Sequence, residues 1–200
     1  MMVLDHGFLR LLYHNFHKID DDMYRSNMPT PQRIYKYKLL GIKTIINLRG
    51  GKKDGGWKLE KEACKKNGID LVNLVARSRS APDKDMIFKA DALFKIIKYP
   101  ALIHCKSGAD RAGIVSYLYK ILKCKADPFE AKKQLSFKYL HIKFAKTGLL
   151  DNFCQNYENY HKSKKGLDFL NWVRDVYEPE TLEKNFKENK FIEKILTKIF

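Results

Sequence analysis

The sequence contains few cysteines, and none of them are closely paired. The four are Cys64, Cys105, Cys124 and Cys154. This spacing excludes the CxxC pattern of zinc and redox sites and gives no sign of a secretory disulfide framework. A sustained apolar run is also lacking, because Asp5 and His6 interrupt the N-terminal segment MMVLDHGFLRLL, which argues against a signal peptide and a membrane span. We therefore expect reduced thiols and a cytoplasmic location.

Arginine is scarce although the chain is strongly basic. The 200 residues carry a formal net charge of +16, yet only eight of the 39 basic residues are arginines. Lysine lacks the planar fork that binds phosphate or guanine through two hydrogen bonds, so we interpret most of this charge as a solvated surface. No stripe of aromatic and arginine residues is present, and we therefore expect no nucleic-acid partner.

Apolar strands alternate with amphipathic helices along the first 125 residues. The predicted strands are 43–48, 69–75 and 101–104, preceded by a turn and a short strand within residues 20–26, and the predicted helices are 31–40, 57–67, 83–98 and 111–123. Such alternation is typical of parallel strands joined by right-handed crossovers. The prediction is an α/β domain, residues 1–160, whose parallel-type central sheet is flanked by helices on both faces.

Beyond residue 125 the sequence indicates helices only. Residues 161–200 are predicted to form a C-terminal helical extension that packs on the domain. Their last segment, KFIEKILTKIF, is short, basic and amphipathic, so peripheral contact with an anionic membrane is an alternative to packing.

One loop combines a cysteine with an arginine. Residues 104–113 read HCKSGADRAG and lie between the apolar strand ALIH and a predicted helix. A strand end, a glycine and a helix start point successive backbone amides at one position, with the positive end of the helix dipole behind them. Such a cradle binds a tetrahedral oxyanion and favours the thiolate of Cys105, which is the nucleophilic form. Arg111 can hold two oxygens of the bound group with its fork.

A simpler interpretation makes Cys105 a small buried hydrophobe at a strand end and Arg111 a surface charge. Strand, glycine, helix start and apolar flanks all occur in the order that a phosphate pocket needs, which favours the functional interpretation. The sequence therefore predicts a phosphate-binding loop that contains a nucleophile.

The pattern of His, Cys, five residues and Arg resembles the motif of the cysteine-dependent protein tyrosine and dual-specificity phosphatases. The segments NFHKIDDDMYRSNMPTP, GIKTIINLRG and SRSAP are similar to blocks of the bacterial dual-specificity-like, or atypical, branch, so the resemblance covers roughly residues 7–150. It implies hydrolysis of a phosphomonoester without a metal or other cofactor: Cys105 attacks phosphorus, and water then cleaves the phosphocysteine. The implied substrates are phosphotyrosine in protein, a phospholipid or an inositol phosphate.

The resemblance also implies roles for the residues of the loop. His104 would orient the cysteine from behind. The phosphate oxygens would be held by Lys106, Ser107, Gly108, Ala109, Asp110 and Arg111. A lysine directly after the nucleophile suggests a polyanionic or lipid head group as substrate. Outside the loop, Arg49 is expected to be a structural or substrate-facing ion-pair partner. Arg79 is expected either to bind a second anionic group or to be a solvent-exposed loop charge.

Two features depart from the family pattern. Ala112 follows the arginine, where the family commonly has a hydroxyl residue. The stretch NLVARSRSA, where the family's general acid usually lies, contains no aspartate. Asp110 is therefore the candidate acid, with helix capping as its other interpretation, and Asp83 and Asp85 are alternatives at the start of the next helix. These departures leave a catalytically weak or silent phosphate-binding module as the alternative function.

Overall fold

A computed structural model describes residues 14–51, 55–163 and 168–187 of the chain. The strands of this part are β1 (His17–Lys18), β2 (Met23–Ser26), β3 (Thr44–Asn47), β4 (Asp70–Asn73) and β5 (Ala101–His104). Its α-helices are α1 (Pro31–Leu39), α2 (Gly55–Asn67), α3 (Lys84–Ile96), α4 (Asp110–Leu122), α5 (Pro128–Lys132), α6 (Leu149–Ser163), α7 (Phe169–Asp175) and α8 (Pro179–Asn185).

The five strands form one sheet in the order β1-β2-β5-β3-β4. Strands β2, β5, β3 and β4 are parallel, and β1 pairs with β2 in the antiparallel direction. The register places Ser26 and Asn47 on either side of His104, so the loops after β2, β5 and β3 leave the sheet at one edge. The predicted α/β class and parallel sheet are confirmed. Strand β1 was not predicted, because two residues are too few to show a period.

The chain divides into two compact units, Met1–Ala76 with Ile96–Ala112, and Arg77–Lys95 with Gly113–Phe200. The first unit contains the whole sheet together with α1 and α2. Helix α1 begins where expected, because Thr30 accepts a hydrogen bond from the Arg33 amide and Pro31 needs no partner for its missing N–H. Ile34 and Tyr37 of this helix are buried in one apolar cluster with Cys64 of α2 and residues of β3 and β5.

The second unit has an aromatic core. Phe153 and Tyr157 of α6 pack with Phe169 and Trp172 of α7, and the ring centres of Phe153 and Trp172 are 5.5 Å apart. The Tyr177 hydroxyl donates a hydrogen bond to the Pro82 carbonyl at 2.9 Å. The predicted boundary between domain and extension near residue 160 stays a prediction.

No helix in the described ranges is both long enough and apolar enough to span a bilayer. Residues 190–200, for which peripheral membrane contact is predicted, lie outside the described residues.

Candidate active site

The loop predicted to bind phosphate joins β5 to α4 in the first unit. His104 is the last residue of β5 and is fully buried, and the next residue, Cys105, is only 2% exposed. Lys106 and Ser107 are partly buried, and Asp110 opens α4. The Gly108 amide donates a hydrogen bond to Cys105 Sγ at 3.2 Å. The loop therefore curls around the sulfur at the start of a helix of 13 residues.

The carbonyl groups of the loop are bound by residues outside it. The Met28 amide donates to the Lys106 carbonyl at 3.3 Å, and Asn15 Nδ2 donates to the Ser107 carbonyl at 3.0 Å. Arg25 Nη2 donates to the carbonyls of Gly108 and Ala109, at 2.8 and 3.0 Å. In a trans peptide the N–H points away from the C=O, so amides of residues 107–110 face the opposite side. This is the side on which the sequence predicts an anion cradle.

Arg25 is the largest buried polar side chain beneath the loop. It lies on β2, is 0% exposed, and reaches the loop from the neighbouring strand. A buried guanidinium needs hydrogen-bond acceptors, and the two loop carbonyls supply them to Nη2. Its positive charge behind the loop also favours an anion in front of it.

Gly108 is the residue that permits the tight curl. Its φ of +78° lies in the left-handed region, where a side chain is strained. A Cβ at this position would lie 2.7 Å from both Ser26 C and Asn27 N, which are backbone atoms and cannot easily move. The loop and the segment after β2 therefore pack together backbone to backbone.

A chain of buried polar contacts lies behind Cys105. His104 Nδ1 is 3.4 Å from the Cys105 carbonyl, and His104 Nε2 is 2.5 Å from Glu60 Oε1. The second carboxylate oxygen of Glu60 accepts from Asn47 Nδ2 at 2.7 Å. Asn47 Oδ1 in turn accepts from the Arg49 amide at 2.7 Å. Strands β3 and β5 and helix α2 are thus joined at the base of the loop.

Basic side chains border the segment that holds the loop. Arg33 Nη1 donates to Asn27 Oδ1 at 3.1 Å, and Arg49 Nη1 lies 2.8 Å from Met28 Sδ. Burial, followed by the charges of Arg33, Lys36 and His17, lowers the pKa of His14 to about 4. Arg33 and Arg49 thus place positive charge beside the segment that packs on the loop.

Known proteins resemble the chain over the region that carries this loop. The family model described as a DSP-PTPase phosphatase fused to NAD+ kinase matches residues 22–146. The chain belongs to this dual-specificity phosphatase family. The matched residues include the loop, strand β5 before it and helix α4 after it. They also include Arg25, Asn47 and Glu60, which contact the loop or His104 or each other, but not Asn15.

Two curated relatives of this chain come from Arabidopsis thaliana. Inositol diphosphatase DSP4 is 29% identical over 123 residues, which are 58% of this chain and 61% of the relative. Inositol diphosphatase DSP3 is 29% identical over 113 residues, which are 54% of each protein. The aligned region thus spans little more than half the length of these relatives.

Solved structures share the fold of this chain. TpbA from P. aeruginosa has a TM-score of 0.56 at 17% identity, covering 72% of this chain and 84% of that one. A DUF442 phosphatase from Shewanella putrefaciens has a TM-score of 0.58 at 17% identity, covering 74% and 96%. At this identity the likeness concerns the fold alone.

Most of the predicted site residues lie in or beside the loop that joins β5 to α4. Residues 104–111 form the loop itself, and Arg49 contacts the segment beside it. Arg79 is exposed and belongs to the second unit, so its predicted role stays a prediction. Asp85 forms an exposed ion pair with Lys89 at 2.7 Å, which fits a surface role rather than proton donation.

Several supporting residues were not predicted from the sequence. Asn15, Asn47 and Glu60 were not singled out, and the sequence indicates for Arg25 only a position at a strand end, where open α/β sheets place ligands. A usable signal existed for Glu60, which shares one face of α2 with the buried residues Ala63 and Cys64. No group of three or more His, Cys, Asp or Glu residues that would suit a metal ion occurs among residues 14–51, 55–163 and 168–187.

Gly108→Ala is expected to distort the loop. The new methyl group would push the loop away from Ser26 and Asn27, and a shift of about 1 Å at reacting groups costs roughly 100-fold in rate. The measurement is kcat for p-nitrophenyl phosphate together with the melting temperature.

Gly68→Ala is the matched control for this variant. Gly68 also has a positive φ, +63°, but nothing lies within 4 Å of a Cβ there. We expect a loss of about 1–2 kcal/mol in stability from the backbone conformation, with kcat unchanged. Equal activity of both alanine variants would contradict the argument that close packing shapes the loop.

Proposed function

We propose that this protein hydrolyses phosphate esters or phosphoanhydrides through a phosphocysteine intermediate on Cys105. The thiolate attacks phosphorus, an S–P bond forms, and the bond from phosphorus to the leaving oxygen breaks. Water then attacks the same phosphorus, the S–P bond breaks, and the thiolate and inorganic phosphate are released. The loop amides and the Arg111 fork hold the non-bridging oxygens in both steps.

The main support for this proposal is that residues outside the loop donate hydrogen bonds to its carbonyl groups. Met28, Asn15 and Arg25 hold four successive carbonyls from outside, which leaves the opposite amide face for an anion. Cys105 Sγ is on the amide side, because the Gly108 amide donates to it at 3.2 Å. A phosphoryl group bound by these amides would therefore lie next to the nucleophile. Membership of the phosphatase family supports this chemistry over a silent binding module.

Proton donation to the leaving group is assigned to Asp110 in this proposal. Asp110 lies in the first turn of α4, at the end of the loop that holds Cys105. An alkoxide is a poor leaving group and needs a proton in the first step, whereas p-nitrophenolate needs little help.

Asp110→Asn is expected to affect poor leaving groups selectively. We expect kcat/KM to fall by about 100-fold or more for an alkyl phosphate and by less than about threefold for p-nitrophenyl phosphate. Asparagine is as good as aspartate near a helix start, so the fold should persist. An equal loss for both substrates would contradict the assignment of the acid to Asp110.

For the substrate, we propose a small polyanionic phosphate, with inositol diphosphates as the first choice. Lys106 follows the nucleophile, and Arg33 and Arg49 contact the Asn27 and Met28 segment that packs on the loop. Such a concentration of positive charge favours a substrate with further anionic groups beside the one that is cleaved. The names of the two Arabidopsis relatives point to the same class.

A phosphate-release screen tests this proposal. We expect p-nitrophenyl phosphate to be turned over and vanadate to block turnover. Among physiological classes, inositol diphosphates should have a higher kcat/KM than phosphotyrosine peptides or phospholipid phosphates. A higher kcat/KM for phosphotyrosine peptides would overturn the substrate class but not the chemistry. Binding of phosphate with neither turnover nor a burst of product would favour the silent module.

A further inference from the structure

The buried carboxylate of Glu60 has no part in the chemistry described above. Its side chain is 0% exposed, as is that of His104, and the two are 2.5 Å apart through Oε1 and Nε2. Burying a carboxylate is costly unless hydrogen bonds and a proton or charge compensate it. Such a group next to the residue that precedes the nucleophile calls for a functional account.

The two nitrogens of His104 face oxygen atoms on both sides. Nδ1 faces the carbonyl of Cys105 at 3.4 Å, and a carbonyl oxygen can only accept a hydrogen bond. Nε2 is in ion-pair contact with Glu60 Oε1 at 2.5 Å, although neither atom makes a hydrogen bond of standard geometry. A neutral imidazole carries one N–H, so the partner at Nε2 decides whether Nδ1 carries the proton.

Two placements of the protons satisfy both contacts of His104, the one with the Cys105 carbonyl and the one with Glu60. Either the carboxyl group is protonated and donates to Nε2, or the proton lies on Nε2 and the carboxylate accepts it. Both forms contain a proton on Nδ1, directed toward the Cys105 carbonyl, and the pair is then neutral; without the shared proton, a carboxylate facing an Nε2–H imidazole would leave Nδ1 with no N–H to donate. The pair therefore acts through geometry rather than by adding a charge near the thiolate.

We propose that Glu60 is a positioning residue for Cys105: it holds His104 with a proton on Nδ1, and this N–H orients the peptide that begins the phosphate loop. The orientation of Glu60 is itself fixed by Asn47, whose Nδ2 donates to Oε2 while its Oδ1 accepts from the Arg49 amide. The inference rests on the proposed function, because it assigns a role in the same reaction.

The test compares Glu60→Gln with Glu60→Leu. The glutamine amide can accept from Asn47 through its oxygen and donate to His104 Nε2 through its nitrogen, so Nδ1 keeps its proton. We expect kcat for p-nitrophenyl phosphate within about threefold of wild type. Leucine fills the space without a donor, and we expect kcat to fall about 10- to 100-fold with little change in KM. Glu62→Leu, at an exposed position of the same helix, is the control.

A spectroscopic readout separates this role from a merely structural one. Long-range ¹H–¹⁵N correlation spectra of the histidine rings, with His104 assigned through His104→Asn, report which ring nitrogens are protonated. We expect a protonated Nδ1 in wild type and in Glu60→Gln. An unprotonated Nδ1 in wild type would overturn the proposal, as would Glu60→Gln being as impaired as Glu60→Leu, or Glu60→Leu being fully active.

These outcomes are distinguishable from failure of the proposed function. If wild type hydrolyses no phosphate ester, the proposed function fails, while the spectra of wild type and Glu60→Gln still decide the protonation state. If Glu60→Leu does not fold, the activity of Glu60→Gln and the wild-type spectrum decide whether Glu60 is a positioning residue.

Discussion

Cys105→Ser is expected to lower kcat for p-nitrophenyl phosphate by at least about a thousandfold. A serine hydroxyl is not ionised near neutral pH and lacks the nucleophilicity of a thiolate, although it occupies nearly the same volume. The fold should persist, because the loop is held through its carbonyls by Asn15, Arg25 and Met28 rather than through the sulfur. The variant should also retain binding of phosphate or vanadate.

Cys124→Ser is the matched control for the loss of a thiol. Cys124 is exposed, whereas burial raises the pKa of Cys64 to about 12 and makes its thiol a poor nucleophile. We therefore expect Cys124→Ser to have wild-type activity and an unchanged melting temperature. Turnover by Cys105→Ser equal to that of wild type would contradict the role given to Cys105.

Arg111→Lys is expected to lower kcat by about 100- to 1000-fold, the usual cost of removing one preorganised donor to a developing charge. The positive charge is kept, so the loss would come from the planar fork that binds two phosphate oxygens at once. Arg111 lies in the first turn of α4 and is partly buried, so its position relative to the loop is set by the helix. The measurement is kcat and KM for p-nitrophenyl phosphate.

Arg174→Lys controls for the chemical change at Arg111. Arg174 is exposed on α7 and donates to Asn171 Oδ1 at 2.9 Å. We expect this variant to match wild type in both activity and stability. Full activity of Arg111→Lys would show that charge alone suffices at this position and would contradict the bidentate role.

Much of the fold was predictable because the helix and strand signals in the sequence agree with the pattern of buried residues. Thr30 and Pro31 begin a helix as expected, and the apolar runs around Ile45 and Leu102 form central strands that are buried on both faces. The loop was predictable for the same reason, since its cysteine, glycine and arginine have fixed positions between a strand and a helix. Strand β1 was missed because only its pairing with β2 defines it.

The supports of the loop were harder to predict because they depend on contacts between distant parts of the chain. Asn15 reaches Ser107 across 92 residues, and Arg25 reaches Gly108 across 83. The spacing of Glu60 from Ala63 and Cys64 indicates that it lies on the buried face of α2, but only the structure shows that its partner is His104. No short-range period encodes such pairings, whereas strand register and helix packing produce them.

The most direct test of covalent catalysis at Cys105 is to trap the intermediate. Wild-type protein is mixed with p-nitrophenyl phosphate, quenched in acid within the first turnovers, digested and analysed by mass spectrometry. Covalent catalysis predicts one added phosphoryl group on the peptide that contains Cys105. The group should be absent after the same treatment of Cys105→Ser. Turnover with an unmodified Cys105 peptide at every quench time, or the phosphoryl group on another residue, would contradict it.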